Sequence, residues 1–546
     1  MEHTIGPIQI LSSLFEALQE HTHRLEREKT ISRIWNQDHS VWGIDEAQSL
    51  DRLGWLRLPD TMPREIPKLT RFSEQILNEG FTHIALLGMG GSSLAAQVLA
   101  NVFGEQPGFP KPTVLNSIMP RNIVDARNSI DITKTLFIIA SKSGDTIETL
   151  SLYKYFHQVL ISNPEIPQPG SHFIAITDPE TPLEYLARRD NYRRIFLNPP
   201  GIGGRYSALS LFGLIPAILT GLNIQQLLNR ATDMQAQCSP NVEISLNPAA
   251  VLGAFMATHN EFKTNKLTLI TSPSLTTFGS WVEQLVAEST GKQGRGLVPI
   301  IAEPRFNATA YGLDRFFIYL RLDNDDNKET DKSFKSIQEN NKPSIQLNLK
   351  DSYDIGAQFY LWEMAVTITA ALQGINPFDE PDVTAAKEQT SSILQTFSNT
   401  GAFPELEFDS ASSRIISQAI QGDYLAILAY LPETPETYRV LTSLREQITK
   451  LYHIPTSLAY GPKYLHSLGQ LHKGGSGEPI FLLLSTDLYE DIVIPDTGLT
   501  FGNLITAQKL GDLQTLNALN RRIVRLQLPT DPSSQLDFLM QHLELS

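Results

Sequence analysis

Two kinds of apolar pattern alternate along the chain. Short continuous runs occur at residues 84–87, 113–115, 136–140 and 173–177. Between them lie stretches at 94–103, 146–162 and 182–188 in which apolar residues return every three or four positions. Continuous runs of this length predict strands buried on both faces, and the periodic stretches predict helices. A second cycle begins near 245, with strands expected at 267–271, 316–322 and 345–349 and a long helix at 353–372. Runs at 424–430, 480–484 and 523–526 supply later strands. Residues 322–342 are polar and charged and predict an exposed loop.

Strands separated by helices specify an α/β protein with parallel sheets covered on both sides. We expect two tandem doubly wound parallel-sheet domains, at 61–240 and 241–546, the second enlarged. Residues 1–60 carry Leu14, Leu18, Leu25, Ile31 and Ile34 among charged neighbours and predict an N-terminal helical arm. Ligands of such folds bind outside the C-terminal strand ends.

The stretch 281–296 is the point of greatest chemical interest. Trp281, Leu285 and Val286 predict a helix with one buried face. Glu283 and Glu288 lie about 140° apart around it and should face different surroundings. Glu288 falls in the last turn, where the helix dipole disfavours a carboxylate. Gly291 just beyond is placed for a left-handed cap. A solvated helix-end glutamate is the plain alternative to a functional one.

Composition narrows the function classes. A chain of 546 residues exceeds one hydrophobic core. Its net charge of −15, without a long basic run, argues against general nucleic-acid binding. The single cysteine, Cys238, excludes an intrachain disulfide and fits a reducing compartment. No secretory leader pattern is visible at the N-terminus, and the apolar stretch 209–222 is too short for a membrane span. These features lead us to expect a cytoplasmic protein without membrane partners.

Two loops follow strand ends and open helices. Gly88-Met-Gly-Gly-Ser-Ser offers backbone close to a ligand, with Gly90, Gly91 and Ser92 at the turn. Ser93 stands where a dinucleotide fingerprint needs its third glycine. Ser141-Lys-Ser-Gly-Asp-Thr offers the hydroxyls of Ser141, Ser143 and Thr146 and the charge of Lys142. Either loop alone reads as a turn or an N-cap, whereas together they point to a phosphate. Arg205, in Gly201-Ile-Gly-Gly-Arg, has the charge to stabilise an oxyanion or to serve as a surface arginine. Lys387 lies two turns into a helix expected from Pro381, a place usually solvated. His466 and His472 are both candidates for proton transfer. No metal-ligand set, serine triad or nucleotide loop is present, so no cofactor is expected.

Taken in order, these motifs resemble phosphoglucose isomerase. The carriers are Gly-Met-Gly-Gly-Ser, Ser-Lys-Ser-Gly-Asp-Thr-Ile-Glu-Thr, Gly-Gly-Arg-Tyr-Ser, Glu-Ser-Thr-Gly-Lys and Asn-Pro-Phe-Asp-Glu-Pro-Asp-Val with Lys387 following. Tyr-Leu-His-Ser-Leu-Gly-Gln-Leu-His-Lys-Gly-Gly resembles the isomerase half of fused transaldolase–phosphoglucose isomerases. The resemblance spans roughly residues 80–530 and implies two sugar-isomerase domains. It implies interconversion of glucose 6-phosphate and fructose 6-phosphate through ring opening and a cis-enediol, without metal or nucleotide, in a homodimer. It assigns proton shuttling to Glu288, enediolate stabilisation to Arg205, ring opening to Lys387 and His466, and phosphate binding to Ser92, Ser141, Lys142, Ser143 and Thr146. Two departures stand out. His466 follows Lys387, the reverse of ordinary bacterial members, which leaves His472 as a competitor. Glu380 replaces a glutamine. The competing readings are a non-catalytic sugar-phosphate-binding protein, which needs neither Glu288 nor Arg205, and a transaldolase-type lyase, whose barrel the strand pattern does not supply.

Overall fold

The computed structural model describes residues 5–6, 8–44, 52–404, 413–475, 479–487 and 490–543. The first sheet contains β1 (His83–Gly88), β2 (Lys111–Leu115), β3 (Thr135–Ala140), β4 (Phe173–Thr177) and β5 (Arg194–Leu197). Its order is β2-β1-β3-β4-β5, all parallel. The second contains β6 (Lys266–Thr271), β7 (Val298–Ile300), β8 (Arg315–Leu322) and β9 (Ser344–Leu349), in the order β7-β6-β8-β9. A third contains β10 (Tyr424–Tyr430), β11 (Thr456–Tyr460), β12 (Pro479–Ser485) and, after the small hairpin β13 (Val493–Ile494) and β14 (Leu499–Thr500), β15 (Arg522–Gln527), in the order β11-β10-β12-β15. Residues after 241 thus hold two separate sheets. All three sheets share one winding, in which the order reverses at the first strand.

The reason is visible within single strands. In β1, Ile84 and Leu86 join one core while Ala85 and Leu87 join another. In β8, Phe316, Ile318 and Leu320 face one core and Phe317 and Tyr319 another. In β10, Leu425 and Ile427 separate from Ala426 and Leu428 in the same way. Each sheet is covered on both faces, which is why its central strands read as unbroken apolar runs.

The sequence expectations need correction in places. Residues 322–342 are not a loop throughout, since Lys328–Glu339 is a helix. Its Thr330, Phe334 and Ile337 are buried at helical spacing within a charged run. β5, β7 and β11 escaped the apolar pattern because they are short and interrupted by polar residues or proline. The N-terminal segment folds into helices at Ser12–Arg27 and Thr30–Trp35, and Ile5 and Gln9 bridge the edge of β9. Among the described residues, one helical segment, Ser352–Gln373, is long and apolar enough to cross a membrane, and its residues from Ile355 to Leu372 are buried.

Candidate active site

Elements of all three sheets meet at one place. The glycine loop after β1 and the Ser141 loop after β3 leave adjacent strand ends, because Gly88 pairs with Ala140. This is the point where the strand order reverses, the usual ligand crevice of a doubly wound sheet. A Cβ on Gly91 would lie 2.2 Å from the Gly204 carbonyl oxygen, so the loop sits directly on the bend that carries Arg205. Gly90 has φ +51°, and a Cβ there would lie 2.6 Å from the His466 carbonyl oxygen and 3.0 Å from Gln284 Nε2. Glycine is required at both positions by close backbone approach.

Glu288 projects from the last turn of the Phe278–Thr290 helix and is buried, not solvated. Arg205, only 2 % exposed, donates from its NH1 group to Glu288 Oε2 at 3.2 Å. The same group donates to Glu380 Oε1. Arg205 Nε donates to Ser289 Oγ at 2.9 Å, and NH2 donates to the carbonyls of Pro377 at 2.6 Å and Asp379 at 3.2 Å. Burial alone would weaken the guanidinium's hold on its proton, but the Glu380 and Glu288 carboxylates outweigh it and raise its pKa. Burial pushes the Glu288 carboxyl up to about 7; Arg205 pulls the other way and the Glu380 charge adds to the rise. A carboxyl in that range is suited to take and return a proton near neutral pH.

His466 lies in the turn after β11. Its Nε2 lies 2.7 Å from Glu148 Oε1, and its carbonyl accepts from Gln284 Nε2 at 2.8 Å. Burial would lower the imidazole pKa, but Glu148 outweighs it and holds His466 above its ordinary value. Burial likewise works to raise Glu148, yet His466, with a hydrogen bond from Gln508, brings it to about 2. The pair is a charged dyad at the root of the Ser141 loop, since Glu148 opens the Ile147–Ile161 helix. His472, in contrast, packs between Tyr464 and Phe481, with both ring nitrogens unpartnered and its pKa brought down to about 3 by burial. The geometry therefore separates the two histidines: His466 borders the cluster and His472 belongs to a core.

The other candidates are placed as follows. Ser141 Oγ lies 2.9 Å from Thr146 Oγ1 and accepts from the Gly144 amide at 3.1 Å, so these hydroxyls brace their own loop. Ser143 donates to Asp145, and Lys142 pairs with Asp178 at 2.8 Å. Ser92 lies in the partly exposed turn between Gly91 and the helix that follows. The helix bearing Lys387 starts at Thr384 rather than Pro381, so Lys387 sits in its first turn. It is exposed and within electrostatic reach of His466. Gly291 has φ −80°, not the left-handed cap expected. It is needed for space instead, because a Cβ would lie 2.6 Å from the Ala287 carbonyl oxygen and 2.7 Å from Leu471 Cα.

The sequence reading quoted the motif at 376–382 but did not foresee it as a strap across Arg205 and Lys292. Lys292 reaches the Asn376 carbonyl and Asp379 Oδ1, the latter at 2.7 Å. Burial, with the Arg205 charge, brings its ammonium down to about 8 despite Asp379. Gln470 Nε2 binds Asp382 Oδ2 at 2.5 Å and the Gly291 carbonyl at 3.0 Å. Glu148 and Lys292 stood inside the quoted motifs, which was their only signal.

Residues 74–296 match the phosphoglucose isomerase family profile, a segment that contains both loops, Arg205 and Glu288. Over that segment the chain is similar to phosphoglucose isomerases. A glucose-6-phosphate isomerase of Prochlorococcus marinus (strain NATL2A) is 27% identical over 412 residues, which cover 66% of this chain and 78% of that protein. A probable glucose-6-phosphate isomerase of Methanococcus maripaludis is 28% identical over 349 residues, 57% of this chain and 78% of its own. Among solved structures, a glucose-6-phosphate isomerase of Chlamydia trachomatis superposes with TM-score 0.58 at 19% identity, covering 71% of this chain and 87% of the other. A hypothetical protein of Thermus thermophilus gives TM-score 0.61 at 22% identity, over 71% and 99% respectively. These two likenesses bear on the fold.

Proposed function

We propose that this protein is a phosphoglucose isomerase, an aldose–ketose isomerase that interconverts glucose 6-phosphate and fructose 6-phosphate. The observation that carries the reading is the buried Glu288–Arg205 pair beside the first glycine loop. A binding module has no use for a carboxyl pushed up to about 7 against a guanidinium.

In this reading the two loops of the first sheet, at Gly90, Gly91, Ser92 and at Ser141, Lys142, Ser143, Thr146, hold the phosphate. That anchors the far end of the sugar, so binding energy orients the reacting carbons. His466, charged by Glu148, gives a proton to the ring oxygen as the ring opens, with Lys387 adding positive charge nearby. Glu288 takes the proton from C2 and returns it to C1, passing through a cis-enediol. Arg205 stabilises the negative oxygen that develops between those steps. The buried surroundings strengthen that interaction. No metal or nucleotide takes part. The family reading also carries a cytoplasmic homodimer, for which sedimentation at micromolar concentration is the measurement.

The test is a coupled assay of fructose 6-phosphate conversion by purified protein without added metal. Glu288→Gln is expected to lower kcat by about 10²–10⁴-fold with little change in KM. A variant with near-normal kcat would remove Glu288 from the reaction.

A further inference from the structure

Arg205 is a heavily committed side chain, with five hydrogen bonds. A guanidinium has five N–H donors, and here the five meet Ser289, Glu288, Glu380 and the carbonyls of Pro377 and Asp379. None is left over for an enediolate. Four of these acceptors are fixed. Ser289 and Glu288 sit on one buried helix turn, and the two carbonyls belong to a strap held by Lys292 and Gln470. Glu380 differs, because its side chain is 40% exposed whereas those of Glu288 and Arg205 are 10% and 2% exposed. It alone has solvent to move into.

We propose that Glu380 is a built-in anionic competitor for Arg205, occupying the NH1 donor that a developing enediolate must take. This inference rests on the isomerase reading above. While the site is empty, the carboxylate keeps a buried cation paired, which avoids leaving that charge unmatched. When negative charge develops on the substrate, it displaces Glu380 toward solvent and takes over the guanidinium. A glutamine at the same position offers only a neutral amide oxygen, a weaker acceptor for a cation than a carboxylate. The exchange therefore makes Arg205 harder to win for a ligand anion, and it sets a second negative charge beside the proton-shuttling carboxyl.

The charged groups involved are few. Around Glu288 stand Arg205, Glu380 and His466; around Glu380 stand Arg205, Lys292 and Arg52. Removing the Glu380 charge takes away one influence that raises Glu288 and leaves the others in place. Glu288 must be ionised to act as base, so the acid limb of kcat/KM should move to lower pH.

The experiment compares wild type with Glu380→Gln, an isosteric change, and with Glu380→Ala. Three quantities are read: the pH profile of kcat/KM, inhibition by a phosphorylated aldonate whose carboxylate imitates the enediolate, and inhibition by a phosphorylated alditol with only hydroxyls there. The expected result is an acid limb displaced to lower pH and aldonate binding tightened by about tenfold in both variants, with alditol binding unchanged. Unchanged profiles and affinities, or equal weakening toward both inhibitors, would overturn the proposal and leave Glu380 as a mere brace. If wild type does not isomerise at all, the proposed function fails, and the aldonate–alditol comparison still reads the competition on its own.

Discussion

At the scale of single residues, burial is the force that makes the site's chemistry. Glu288, Glu283 and Glu148 are all buried glutamates, yet their environments send them in different directions. Glu148 meets His466 and falls to about 2, a permanent anion. Glu288 meets a guanidinium shared with a second carboxylate and settles at about 7. Glu283, five residues earlier, faces Arg445 and Lys463; burial outweighs both and pushes it up to about 8, with Oε1 unpartnered. Between the ordinary carboxylate range and pH 8 the folded protein binds this proton more tightly than the unfolded chain does. Stability contributed by the protonated form is full below the unfolded pKa and is lost as pH rises through that window. Glu283→Gln should remove this slope. The variant is expected to match wild type near pH 4 and to exceed it by about 1–3 kcal/mol at pH 8, read as the difference in denaturant midpoint at the two pH values. A gap that stays constant with pH would assign the titration to another group.

At the scale of elements, close backbone approach does more than any single hydrogen bond. The β1 glycine loop touches both the Gly204 carbonyl and the His466 carbonyl, so one turn sets the spacing of groups that come from distant parts of the chain. Gly91→Ala must push the Gly204–Tyr206 turn outward. Arg205 then loses register with Glu288. Displacements of this size reduce catalysis by about 10²-fold, and we expect that loss in kcat/KM with an unchanged far-ultraviolet circular dichroism spectrum. The 376–382 strap belongs to the same scale, because Arg205, Lys292 and Gln470 pin it from three elements.

At the scale of the whole molecule, the third sheet is part of the site, since His466 is mounted on it. Arg445 joins that sheet to the second. It donates to the Ile301 and Ala302 carbonyls, each at 3.0 Å, and to Thr456 Oγ1 and O at 3.1 and 2.7 Å. Arg445→Ala should leave these buried acceptors unmatched and lower stability by about 3 kcal/mol. Limited proteolysis should then cut within 413–543 at a lower temperature than in wild type, and activity should disappear with those contacts. Cleavage no faster than wild type would show that the sheets are held together without it.

The sequence alone determined the central strands of the sheets, most helices and the types of residue in the site, because each depends on local pattern; the short strands β5, β7 and β11 lacked that pattern. An unbroken apolar run needs only neighbouring residues to be recognised, and a glycine turn announces itself in three letters. It did not determine which charges face one another. Glu148 and His466 are 318 positions apart, Arg205 and Glu380 are 175 apart, and nothing local to either member names the other. Tertiary structure alone decided that His466 and not His472 borders the glycine loop, that Glu380 meets Arg205, and that Glu288 is withdrawn from water. Those choices arise from desolvation and from contact across sheets, and both exist only once the chain has folded.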